Sequence, residues 1–283
     1  MIKKIVISFL IVVVVALSLS ESLDRRSSEQ LDDALVRSLS TFALARTLNG
    51  LVSVVQGTEL NVTPAGVGVT FAPGQLLDPV NDMIERFSWV MLMSSVSIGI
   101  QEVTLHLGKT TLFKLLLALF ALIVLVQLWL QSYRWPWRVE RSLKILVALT
   151  VLRFSVPLLV MMNEAVYAYV LEPEYTHSFR EVTASSEKVA LLIDKAEVKQ
   201  EVLKEESSFL ESFNLSEKYR RFKASLQESV QEVITTFNES MDSIVKLITV
   251  FIINSVIIPL VALWLFVYGL GAFLREEFDL GLE

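Results

Sequence analysis

The sequence predicts an all-α integral membrane protein with about four transmembrane helices, or five if one shorter apolar run also crosses, and a long exported antiparallel helical hairpin. Three observations carry that expectation. Hydrophobic residues make up 53% of the 283-residue chain and gather into long runs, whereas a soluble fold alternates buried and exposed positions. One of those runs is followed by a cluster of Arg and Lys, which orients the chain because cytoplasmic loops collect positive charge. The polar stretches between the runs carry apolar residues at steps of three and four, the spacing of one helix face.

Composition removes several classes of chemistry. The chain has no cysteine, which excludes disulfides, Cys-ligated zinc and iron–sulfur clusters, and its two histidines cannot supply a multi-His centre alone. A net charge of −6 argues against a nucleic-acid partner. No phosphate-binding loop, dinucleotide fingerprint, nucleophile elbow or zinc-protease motif occurs, so no cofactor and no catalytic residue is expected.

Residues 1–20 carry Lys3 and Lys4, an uncharged run over 5–19, and the small residues Ala16, Ser18 and Ser20. This fits an N-terminal anchor or a cleavable signal peptide, and in either case the lysines hold the N-terminus inside and send the following chain outward. Residues 21–110 then read as exported amphipathic helices with a connector and a membrane-associated helix. Leu31, Leu35, Leu39, Phe42, Ala45, Leu48, Val52 and Val55 mark a helix ending near Gln56 and Gly57. Alternating Leu60, Val62, Val67, Val69 and Phe71 around Pro64 and Gly66 suggest a short hairpin-like connector. Asp78 followed by Pro79 is an N-cap with proline at the first helical position. The helix it starts carries the ambiguous run 87–100, which is short for a span and rich in small Ser94, Ser95, Ser97 and Gly99 suited to close helix packing.

Residues 111–171 read as a transmembrane pair, 112–130 and 143–162, around a basic interfacial loop with Arg134, Trp135, Trp137 and Arg138. Four spans place that loop inside together with Lys3, Lys4 and Arg275, and leave 21–86 and 164–242, both with an acidic excess, outside. The localisation this predicts is a bacterial inner membrane with both termini cytoplasmic. Residues 172–243 read as the exported hairpin, with Pro173 expected to end the preceding membrane helix and a turn near Asn214. Residues 244–283 hold the last span, about 247–270, and a short tail. On the second hairpin helix Phe222, Leu226, Val230, Val233, Phe237 and Met241 form a coiled-coil-like stripe that continues through Ile244 into the last span. That stripe is the candidate interaction surface, for a second copy or an envelope protein.

The candidate intramembrane polar site consists of Arg153, Glu102, Asn254 and Gln127. Arg153 is eleventh in its twenty-residue run, and arginine at mid-bilayer costs about 2.5–3.5 kcal/mol on insertion scales, so it needs a partner. No carboxylate lies within four residues of it, which leaves Glu102, Asn254 or the backbone near Pro157. Glu102 with His106, and His177 with Glu181, have the spacing of a His–carboxylate pair, but each is only two ligands where catalytic zinc needs three. Two function classes remain: a structural or interaction protein presenting periplasmic helices to a partner or to itself, or a component of an oligomeric channel or transporter.

Overall fold

The computed structural model describes residues 2–56, 60–62, 69–71, 77–130, 139–209 and 215–275; within these, the side chains of 60–62, 69–71, 196–209, 215–223 and 225–226 are not described. Among the described residues the protein is all-helical apart from one short hairpin. Its elements are α1 (Ile2–Leu19), α2 (Glu21–Gln56), β1 (Leu60–Val62), β2 (Val69–Phe71), α3 (Asp78–Lys109), α4 (Thr111–Trp129), α5 (Val139–Val166), α6 (Glu172–Phe209), α7 (Leu215–Ile252) and α8 (Ile258–Arg275). π-helical turns at Tyr167–Leu171 and Ile253–Ile257 join α5 to α6 and α7 to α8. β1 and β2 pair antiparallel, Leu60 opposite Phe71, and Gln56 Nε2 donates to Asp78 Oδ1 at 3.0 Å across the ends of this connector.

Six described helical stretches are long and apolar enough to cross a membrane: Ile2–Leu19, Glu21–Gln56, Asp78–Lys109, Thr111–Trp129, Val139–Lys195 and Gln227–Arg275. This is compatible with an integral membrane protein. Two of the six, α2 and α3, are the least apolar of them and carry charged residues along their length.

Local sequence explains the breaks. Thr110 ends α3 and starts α4: its Oγ1 accepts from Phe113 N at 3.4 Å, as an N-cap hydroxyl does, while its own N–H still reaches the Leu107 carbonyl. Ser20 separates α1 from α2, and its N–H donates to the Ala16 carbonyl at 3.0 Å. Pro173 does not end the membrane helix, contrary to expectation. It occupies the second position of α6, directly after the π-helical turn. Proline is tolerated in a first helical turn, and the wider π turn before it shifts the register that would otherwise set its ring against an earlier carbonyl.

The chain divides into two compact units that cut across the linear segments 1–20, 21–110, 111–171, 172–243 and 244–283, because α2 and α3 each contribute to both. Unit 1 comprises residues 1–36, 94–169 and 253–283. In it, Ile11 of α1, Leu117, Ala121 and Val124 of α4, and Leu146 of α5 form one apolar cluster. Leu31 of α2, Ile98 and Leu105 of α3, and Val156 and Val160 of α5 form another. Leu159 of α5 packs with Ile258 and Ala262 of α8.

Unit 2 comprises residues 37–93 and 170–252. Its core is assembled from Ala45, Leu48 and Val52 of α2, Ile84, Phe87 and Met91 of α3, Val182 and Val189 of α6, and Val230, Val233, Phe237, Ile244 and Leu247 of α7. Tyr175 meets Phe251 edge-on, their ring centroids 5.9 Å apart. Glu181 accepts from Ser243 Oγ, and Glu174 lies 3.8 Å from Lys246, so partners rise along α7 as they descend along α6.

Candidate functional site

The most costly group in the chain to bury is also among the most buried. Arg153, on α5, is 2% exposed. Its Nη2 reaches both carboxylate oxygens of Asp24, at 2.8 and 2.7 Å, and lies 3.4 Å from the Ser18 carbonyl oxygen. Lys114 Nζ sits 3.3 Å from Asp24 Oδ2. Asp24, itself 2% exposed, is therefore shared between two cations brought by α5 and α4.

The neighbouring helices set the level of this cluster. At one end of the α1–α4 pair, Trp129 Nε1 donates to Ser8 Oγ at 3.1 Å; at the other, the last turn of α1 and the first turn of α4 meet Arg153 and Asp24. Although Arg153 is central in its own apolar run, it stands level with the ends of α1 and α4, where charged residues begin. The charge is placed at the rim of those two helices and not midway along them.

Two small departures from ordinary helix chemistry make room for it. Gly108, near the end of α3, passes so close that a Cβ there would lie 3.8 Å from both Arg153 Nη1 and the Arg153 carbonyl oxygen. Pro157, one turn further along α5, has no N–H to offer that same carbonyl. Arg153 Cζ also lies 5.4 Å from the ring centroid of Phe154.

Among the described residues no hydrogen bond or ion pair joins Arg153, Glu102, Asn254 and Gln127 to one another. Glu102 is half-buried on α3, and its carbonyl oxygen lies 3.0 Å from His106 Nδ1. Gln127 is buried on α4 with its Oε1 unpartnered among the described residues. Asn254 is buried in the second π-helical turn, where its carbonyl accepts from Asn163 Nδ2 at 2.8 Å and its Oδ1 has no described partner. The Arg153 partner is Asp24, 129 residues away in sequence and within the segment 21–110 that reads as exported. Its sequence signal was a carboxylate five residues past an uncharged run, level in an antiparallel arrangement with the first lysine of the next span.

Part of the candidate interaction stripe lies in the core of unit 2. Val230, Val233 and Phe237 are buried there, and Met241 is half-buried, because α2 and α3 cover what α6 alone could not. The side chains of Phe222 and Leu226 lie outside the described residues, as do Arg134, Trp135, Trp137 and Arg138. His177 Nε2 lies 3.6 Å from Glu181 Oε1, and among the described residues no group of three or more His, Asp or Glu stands together as a metal site would require. No protein family, curated protein or solved structure matches this chain.

Proposed function

We propose that this is an integral protein of a bacterial inner membrane, with four spans and both termini cytoplasmic, that acts as a structural scaffold. Its exported part, including an antiparallel coiled-coil-like hairpin of α6 and α7, is presented to an envelope protein or to a second copy of the chain. The observation that carries this reading is the fate of the costly buried charge. Arg153 is engaged by Asp24 inside the chain, where a conduit would leave such a group to meet a moving ion. The unit 2 helices likewise use much of their apolar surface to build a core of their own. Nothing in this reading requires an enzyme activity, a cofactor or a nucleic acid.

The alternative is an oligomeric channel or transporter component. It draws on Gln127 Oε1 and Asn254 Oδ1, buried acceptors without described partners. Reconstitution into vesicles separates the two readings. The scaffold reading expects no flux of small ions above the lipid background for the wild type and for a folded Asp24→Asn/Arg153→Met protein alike. Wild-type flux that disappears in that folded double variant overturns the scaffold in favour of the channel.

A further inference from the structure

We infer that the Asp24–Lys114–Arg153 cluster is a binding site for one phosphate-class monoanion, supplied as the phosphodiester of an anionic membrane lipid. The argument starts from charge. Two cations share one carboxylate, which leaves one positive charge in surplus around side chains that are 13%, 0% and 3% exposed for Lys114, Arg153 and Asp24. Lys114 also lies in the first turn of α4, where the helix dipole is positive and adds to the surplus. A charge left uncompensated in such surroundings is costly, and an anion of unit charge removes the imbalance.

Hydrogen-bonding capacity points the same way. A guanidinium has five N–H bonds, and the two on Nη2 are committed to Asp24 and Ser18. Nε and Nη1 of Arg153 have no acceptor among the described residues, although both are buried. Their three N–H bonds, with those of the Lys114 ammonium that Asp24 does not use, suit the several oxygens of a phosphate better than a spherical ion.

The source of the phosphate follows from where the cluster opens. Lys114 is the member that reaches the surface, its side chain 13% exposed against 0% for Arg153 and 3% for Asp24. The other faces of α4 expose Leu112, Leu115, Leu116, Leu119 and Leu122, an apolar surface suited to lipid, from which a lysine stem can carry its ammonium toward the interface. The cluster also stands where α1 and α4 end, each 18 to 19 residues and about 27–29 Å long, close to the thickness of a hydrocarbon core. That is the level of lipid phosphates. The inference is independent of whether the exported helices act as a scaffold.

The test uses the full-length protein, delipidated in detergent and titrated with phosphatidylglycerol, phosphatidylcholine or inorganic phosphate, with bound lipid counted by native mass spectrometry and melting followed in parallel. Phosphatidylglycerol is expected to bind the wild type and raise its melting temperature by several degrees, while phosphatidylcholine, which has no net charge, does neither. In Lys114→Met the surplus is gone and the Asp24–Arg153 pair remains, so phosphatidylglycerol retention should fall at least tenfold in a protein that still melts cooperatively. Lys114→Gln serves if the methionine variant does not insert, and Lys114→Arg should restore binding. Equal retention of the two lipids by the wild type, unchanged phosphatidylglycerol retention in the neutral variants, or stabilisation by inorganic phosphate without any by phosphatidylglycerol would each overturn the proposal.

Discussion

Asp24 has the largest local consequence of any residue described. It compensates Arg153 and Lys114 together, so Asp24→Asn should cost more than loss of an ordinary ion pair: removing one member of a buried pair leaves an uncompensated charge and typically costs about 3–5 kcal/mol. Asp24→Asn should therefore lower the melting temperature sharply in detergent. Adding Arg153→Met should recover most of that loss, because the pair is then replaced by groups that need no compensation. Recovery is expected even though the two positions lie 129 residues apart. If the double variant melts no higher than Asp24→Asn alone, the pairing does not control stability.

At the scale of the element, the α7 stripe shows why a helical pattern and a surface are different things. Periodicity identifies which residues share a face, and on α7 it does so through Val230, Val233, Phe237, Ile244 and Leu247. What covers that face depends on the other helices present. Two helices would have left it partly open for a partner; α2 and α3 close it. Phe237 is 1% exposed, so Phe237→Ala should destabilise the protein by about 3–5 kcal/mol through lost burial and the cavity left behind. The same change at a true docking face would leave melting unaltered and weaken only assembly. Melting of the purified protein therefore separates a core residue from a contact residue.

At the scale of the whole molecule, topology can be read by labelling, and the absence of native cysteine makes single-cysteine probes clean. With four spans, a cysteine replacing Arg138 is expected to react from the cytoplasmic side and one replacing Glu205 from the opposite side, assayed with a membrane-impermeant maleimide on intact cells and on lysed cells. Labelling of both from the same side would mean that an even number of crossings lies between them, so that the apolar part of 139–195 does not cross as proposed.

The sequence by itself determined the helical class, some helix ends such as those at Gln56 and Asp78, and the presence of membrane-length apolar stretches. These follow from periodicity, caps such as Asp78 with Pro79, and runs without charge, all of which act within a few residues along the chain. It also marked Arg153 as the group that needed explaining. Only the tertiary structure decided what answers it, because Asp24, Lys114 and Gly108 come from three other helices and their meeting depends on how those helices pack. The same holds for Pro173, whose local chemistry reads as a stop until the π-helical turn before it is known. Charge balance and burial are properties of a neighbourhood in space, and in this chain the decisive neighbours are far apart in sequence.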